Sequence, residues 1–473
     1  MKALFGFLNG DEAAQIHEAS LAVLEKTGIK VESEKVRRLL ARHGAREEGS
    51  KVRLPREMAT EAIKQVRRQF VLTARDPAWH LTVPSGSTLN ATSGYAPFVH
   101  DLETDEKRSS TGQDLRDFAV VADYLDAVAF FWPLAMPTDG PPPLEELSAL
   151  DISLRHTRKH IQCSCSAEKT ARWQVRLAAA VAGGEEKLRQ NPIFSAVASP
   201  VSPLTFEKDT VEAMVVLAEA GIPVVPMNMA LGGTTAPATM AGILVMANAE
   251  ELATLVILKC ANPEAPMVYA SDSGPADMRS GEVNYAAPEY PLIGAAMAQM
   301  ARFYGIPSMV AHGSSEELPA DLTAFERNVL RVLISQATWT DLSSWLGSRD
   351  SAISGSLVNL VMDAEVYAHA AAYLRQFSVD AGTLALDVID EIGPAGHFLS
   401  HKHTVRHFRK ELWTRRLRDN FVLDPGEGSY IERAREKARS ILATHKVPPL
   451  EEGLLKEMDD LMQSARRDIL GQG

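Results

Sequence analysis

Seven aromatic residues, Tyr95, Phe98, Trp132, Tyr269, Tyr285, Tyr290 and Trp345, fall at or just after short apolar runs, where a strand would end and a loop begin. Aromatic faces converging on a pocket attract a quaternary ammonium group, each by about 0.5–2 kcal/mol depending on desolvation. The plainer alternative for any one ring is packing beneath a loop. A second concentration is Gly393–His407, where His397, His401, His403 and His407 lie within eleven residues. Such a set can coordinate a metal, or hydrogen-bond loop backbone and substrate. Cys163 and Cys165 stand two apart on an expected strand and so share a face. With one of the histidines they would make a zinc site, which supports an alternative function as a zinc-dependent methyl or acyl transferase. Cys-x-Cys alone is a weak signal, and buried core thiols are the plainer reading.

Other signatures fail. Gly426-Glu427-Gly428 lacks the third glycine and the preceding strand of a dinucleotide-binding turn. The sequence has no P-loop Gly-Lys-Ser/Thr and no Gly-x-Ser-x-Gly nucleophile elbow. Lys and Arg total 49 against 61 Asp and Glu, a formal charge of −12. That balance lacks the basic footprint of a nucleic-acid binder and favours small substrates or protein partners. Three cysteines are too few and too odd for a disulfide framework, and they fit a reducing, cytoplasmic setting. The N-terminus lacks a full signal-peptide core, and no charge-free apolar run reaches membrane-spanning length, so no membrane partner is expected.

The elements that must position these residues show three rhythms. Residues 1–85 read as an α-rich cap, with helical spacing over Asp11–Lys26, Ser33–His43 and Pro55–Arg67 and a short strand at Phe70–Thr73. From 86 to 378 short apolar strands alternate with longer helical patterns. Strands are expected near Thr88–Thr92, Val128–Trp132, Ile161–Ser164, Ile193–Ala198, Pro223–Met227, Met267–Ala270, Ser308–Ala311 and Asp341–Trp345. Helices are expected near 113–125, 144–157, 168–182, 207–220, 239–260, 289–304, 321–338 and 357–377. In 207–220, Asp209 is the expected cap and Gly221 the left-handed terminator before Ile222-Pro223-Val224, a junction repeated at Gly305-Ile306-Pro307. Eight such units in roughly 290 residues match a closed (β/α)8 barrel, with an open doubly wound sheet as the rival. Residues 379–473 read as a charged helical extension, packed outside the barrel or between subunits of a homo-oligomer. A barrel places its chemistry in the loops after the strands. The longest of these, Ser271–Pro288, carries Tyr285 and leads into Glu289-Tyr290.

Several stretches also carry a resemblance. They include Gly94-Tyr95-Ala96-Pro97-Phe98-Val99, Gly232-Gly233-Thr234-Thr235-Ala236-Pro237, Ala287-Pro288-Glu289-Tyr290, Leu360-Val361-Met362-Asp363 and, most specific, GPAGHFLSHKHTVRHFR from Gly393 to Arg409. On these the chain resembles the trimethylamine methyltransferase family over nearly its whole length. The resemblance implies a (β/α)8 enzyme that passes a methyl group from an amine to the corrinoid (cobalamin) cofactor of a partner protein. Founding members carry pyrrolysine just before Leu-Val-Met-Asp, and spacing to Asp363 puts that position at or near Ser351. A serine there argues against trimethylamine. It points to the pyrrolysine-free branch, whose substrates are quaternary amines such as glycine betaine, proline betaine or carnitine.

On that reading Tyr95, Phe98, Trp132, Tyr269 and Tyr290 would surround the cationic head. Arg279, His312, His397 and His403 are candidates for a carboxylate tail. Asp363 and Glu289 would orient loops or balance charge. The chain has no Asp-x-His-x-x-Gly lower-ligand segment, so the corrinoid is expected on a separate small protein, docked near Glu316, Glu317 and Arg349. No tightly bound metal is expected. A betaine-binding barrel without turnover is the non-enzymatic alternative.

Overall fold

The computed structural model describes residues 5–310, 330, 332–334, 336–338, 340–375, 377–411 and 429–471. Its centre is a ring of eight parallel strands: β1 (Leu89–Thr92), β2 (130–131), β3 (Ile161–Ser164), β4 (Phe194–Val197), β5 (Val224–Val225), β6 (Tyr269–Ser271), β7 (Ser308–Val310) and β8 (Leu342–Leu346). Ala91 bridges Phe130 and Phe131 bridges Ile161. β3, β4 and β5 pair in turn, and Val224 reaches Met267 just ahead of β6. β6, β7 and β8 follow, and β8 returns to β1 at Leu342–Leu89. The pairings therefore close a (β/α)8 barrel rather than an open sheet. The strands are short, apolar and buried on both faces, because helices cover the outside and side chains fill the inside.

The helices alternate as expected: α1 (Gly112–Tyr124), α2 (Glu145–His156), α3 (Glu168–Ala182), α4 (Lys208–Ala220), α5 (Met240–Ala261), α6 (Glu289–Tyr304) and α7 (Leu357–Leu374). Most of the helix expected at 321–338 lies outside the described residues. Gly221 and Gly305 take left-handed conformations, at φ 76° and 72°, and end α4 and α6 before the next strand. Asp209 does not cap α4. Glu207 holds that place without a side-chain bond, and Asp209 sits in the first turn, where its charge favours the helix dipole. α5 is long and apolar enough to cross a bilayer, but 78% of its most apolar window is buried inside the protein.

Inward side chains Ala91, Phe130, Trp132, Val225, Val268, Ala270, Met309 and Leu342 form the barrel's own core. Phe70, Leu72 and Val83, from an antiparallel hairpin (Phe70–Leu72 with Leu81–Val83), join them. Thr73 N donates to Pro192 O, and His160 Nδ1 lies 2.7 Å from Thr73 O. The hairpin thus closes the end where strands begin and leaves the opposite end as the mouth. The three helices expected in the N-terminal segment are present, at Gly10–Ala22 with Val23–Thr27, Glu34–Arg42 and Arg56–Lys64, and short strands not expected from the sequence lie among them. Arg46–Glu48 and Lys51–Arg53 form a hairpin, and Ile29–Val31 pairs with it on one side and with Thr205–Phe206, beyond β4, on the other. Charged residues on the exposed hairpin hid its strand pattern. At the other end of the chain, Tyr430–Thr444 packs on α7 and α1, and Glu452–Leu470 packs on α3.

Candidate active site at the barrel mouth

Three side chains form a compact aromatic group at the mouth. Tyr285 meets Tyr290 edge-on at 5.0 Å and Trp345 at 5.1 Å between ring centres. Met229, Val283 and Ala352 pack around them. Asp272, one residue past β6, accepts hydrogen bonds from Tyr290 Oη and, at 3.2 Å, from Tyr285 Oη. Desolvation pushes the Asp272 carboxyl up to about 7 against the lowering effect of both hydroxyls. Near neutrality this acid changes charge, and a nearby cation would hold it ionised.

Local structure explains how these groups meet. The 2.0-residue period of β6 turns Val268, Ala270 and then Asp272 inward. Asp272 N donates to Asn228 O, and the hydroxyls of Ser271 and Ser273 both reach Asn228 Oδ1, which fixes the strand end. Gly274 has room for Tyr290 only because it lacks a side chain: a β-carbon there would lie 2.5 Å from the ring. Trp345 occupies an irregularity in the β8–β1 ladder, between Ser343 and Leu346, with φ 103°. Asp350, Ser351 and Ala352 also have positive φ, an unusual run for residues with side chains. Their conformation is held by neighbours. Asp363 accepts from Gly347 N at 2.8 Å. Asp350 is bound by Ser354 Oγ, His100 Nε2 and Lys107 Nζ. Arg349 forks onto Asp105. Phe98–His100, Lys107–Ser109, Ser348–Arg349 and Ser354–Ser356 form a small sheet, so the loops after β1 and β8 brace each other.

The predicted site residues divide. Tyr290 belongs to the aromatic–acid group. Trp132 points inward at the end of β2, its indole lying across Gly94, where a β-carbon would come within 2.0 Å. The indole Nε1 atoms of Trp132 and Trp345 are buried with no hydrogen-bond partner among the described residues. Ser351 sits in the left-handed run, next to Ala352 of the aromatic group. Tyr95 lines the first loop, but its hydroxyl is engaged by Cys163 Sγ at 3.1 Å and Ser164 N at 3.3 Å. Phe98 lies on the outer face of the small sheet under Lys107.

Others do not join. Tyr269 points outward, since it alternates with Val268 and Ala270; its hydroxyl donates to Asn248 on α5 in a buried network with Ser20 and Tyr304. Arg279 is 91% exposed and folds back on Asp277. Glu289 is exposed at the start of α6. His397 is exposed, while His403 stacks on His407 at 4.3 Å within the C-terminal segment. His312, Glu316, Glu317 and Gly426–Gly428 lie outside the described residues. Asp272 was missed in the sequence because a lone aspartate in a loop has no spacing signal; counting two residues on from Ala270 would have found it.

Cys163 and Cys165 face outward from β3 into the helical core, and burial pushes the Cys163 thiol up to about 12 and raises Cys165 as well. A cysteine binds zinc as its thiolate, and the described residues bring no group of three His, Cys, Asp or Glu together. The donor set therefore gives the zinc reading no support.

The family model described as trimethylamine methyltransferase matches residues 2–469. The chain belongs to the trimethylamine methyltransferase family. A glycine betaine methyltransferase from Desulfitobacterium hafniense is 30% identical over 453 residues, covering 94% of each chain. A trimethylamine methyltransferase from the same species is 30% identical, covering 97% of this chain and 94% of that one. One from Methanosarcina barkeri is 26% identical over 99% of this chain and 98% of its own. The crystal structure of the Methanosarcina barkeri monomethylamine methyltransferase superposes with a TM-score of 0.55 at 11% identity, covering all of this chain and 89% of that one. At that identity the likeness speaks for the fold alone.

Proposed function

We propose that this methyltransferase-family member takes a methyl group from a quaternary amine, with glycine betaine as the first substrate to test, and delivers it to the reduced corrinoid of a separate partner protein. The observation that carries this reading is the combination of Tyr285, Tyr290 and Trp345 with Asp272 at the mouth. Aromatic faces and one carboxylate suit a permanently charged trimethylammonium head. The glycine betaine methyltransferase relative supports the same choice.

A quaternary amine already carries a good leaving group, a neutral tertiary amine, so departure needs no proton. The corrinoid, when docked, would supply the nucleophile. The chain's own residues hold and desolvate the substrate. The rings fix the cationic nitrogen, Asp272 balances its charge, and the braced loops keep both in place. The unpartnered indole N–H groups of Trp132 and Trp345 are better placed than Arg279 to satisfy a carboxylate tail, because Arg279 is already paired in solvent. Three unpaired cysteines fit the cytoplasmic location this chemistry requires.

The test is to mix purified protein with cob(I)alamin and a panel of glycine betaine, proline betaine, carnitine and trimethylamine. Loss of the cob(I)alamin absorption with stoichiometric dimethylglycine from glycine betaine is expected, and trimethylamine should be inert. Binding of the betaines with no demethylation under any of these conditions would favour a non-catalytic binder.

A further inference from the structure

The inner wall of the barrel is apolar along much of its ring but polar along β3. Ile161 and Cys163 face the outer helical core, so strand alternation turns His160, Gln162 and Ser164 inward. The register agrees. Phe131 bridges Ile161 in parallel, which sets the inward Trp132 beside Gln162, and Ser195 of β4 stands on its other side. His160, nearest the closed end, is satisfied: its Nδ1 donates to Thr73 O at 2.7 Å, so its Nε2 accepts from Ser195 Oγ at 3.0 Å. Ser164, at the mouth end of β3, is only half-buried. Gln162 between them is fully buried, yet neither its Nε2 nor its Oε1 has a hydrogen-bond partner among the described residues. A primary amide brings two donors and an acceptor with two lone pairs, and leaving them unmet inside a protein is strongly unfavourable.

The neighbouring Trp132 Nε1 is unpartnered in the same way. Two adjacent strands thus present free N–H donors on one wall. In the closed ring β6, which leads into Asp272, lies opposite β2, four strands away in either direction. One arc therefore offers a carboxylate and aromatic faces, and the other offers uncharged N–H donors. A zwitterion matches that division, cation against the first arc and anion against the second. Uncharged donors also receive a carboxylate without burying a fixed positive charge of their own, which would repel the ammonium head. Resting on the quaternary-amine reading above, we propose that Gln162 is a specificity-determining residue that reads the substrate's tail. Its Nε2, together with Trp132 Nε1, donates to the carboxylate of a zwitterionic quaternary amine, and its Oε1 accepts from water.

Isothermal titration of the full-length protein with glycine betaine, and with tetramethylammonium, which has the head but no tail, tests this. Gln162→Leu should weaken glycine betaine by about 10- to 100-fold, the size of a hydrogen bond to a charged group. It should change tetramethylammonium by less than about twofold. Trp132→Phe keeps a ring and loses the N–H, and it should also weaken glycine betaine more than tetramethylammonium. The double variant should lose less than the product of the two single losses, because both donors serve one carboxylate. Without ligand, Gln162→Leu should unfold no lower than wild type, since it removes an unmet polar group from the core; Gln162→Met serves if the leucine variant does not fold. Equal losses for both ligands would make Gln162 a packing residue, and unchanged glycine betaine affinity would mean that water alone meets its amide. Either result would overturn the assignment. A wild type that binds tetramethylammonium as tightly as glycine betaine would overturn the tail site and leave the quaternary-amine reading standing, whereas binding of neither would overturn both.

Discussion

The barrel mouth and the C-terminal arm look equally rich in chemistry when only residue types are counted, yet the structure treats them oppositely. At the mouth, Asp272, Tyr285, Tyr290 and Trp345 are tied to strand ends and to one another, and polar atoms such as Asp363 and Asp350 are spent holding the loops. In the arm, His397 is exposed, His403 and His407 stack on each other, and the apolar side chains face outward. Density of residue types in the sequence therefore does not by itself assemble them; the mouth group is preorganised, and side chains set by a rigid scaffold can act on a ligand without first ordering themselves.

Asp272→Asn should separate the two regions most sharply. It removes the charge facing the cation and is expected to weaken glycine betaine binding by about 10- to 100-fold, roughly 1.4–2.7 kcal/mol, measured by calorimetry. The pH dependence follows from the same group. The acid is raised to about 7, so it is mostly protonated below that value and ionised above it. Binding a fixed cation to the ionised form should therefore tighten as pH rises, by about tenfold between pH 6 and 8, and the Asp272→Asn variant should show a flat profile over that range. A wild-type profile equally flat would mean the carboxylate does not face the cation.

Trp345→Leu tests the aromatic face. Loss of one cation–π contact and of the ring's packing predicts weakening of about fivefold, with Trp345→Phe recovering part of it. The smallest effects belong outside the mouth. Arg279→Ala and His397→Ala should each change betaine affinity by less than about twofold, since Arg279 is paired with Asp277 in solvent and His397 is exposed in the C-terminal segment, away from the aromatic–acid group. A large loss from His397→Ala would instead bring the arm into the substrate site.

Local pattern was enough for much of the fold. Short apolar runs at regular spacing, glycines ending α4 and α6, and helical periodicity located the strands and helices, because those signals arise from each segment's own need to bury one face. Ser33–His43 was legible for the same reason, whereas the hairpin at Arg46–Arg53 was not, since its strands are charged and gain their pairing from the chain around them.

The sequence by itself determined the family, the alternation of strands and helices, and a concentration of aromatics at strand ends. Only the tertiary structure decided which of those aromatics pack together. Tyr269 and Tyr290 both lie near the strand ends with similar prospects, but strand alternation sends Tyr269 outward to Asn248, while the absent side chain of Gly274 lets Tyr290 close onto Asp272. That choice depends on ring closure of the barrel and on contacts between residues far apart in the chain, and no local pattern encodes either.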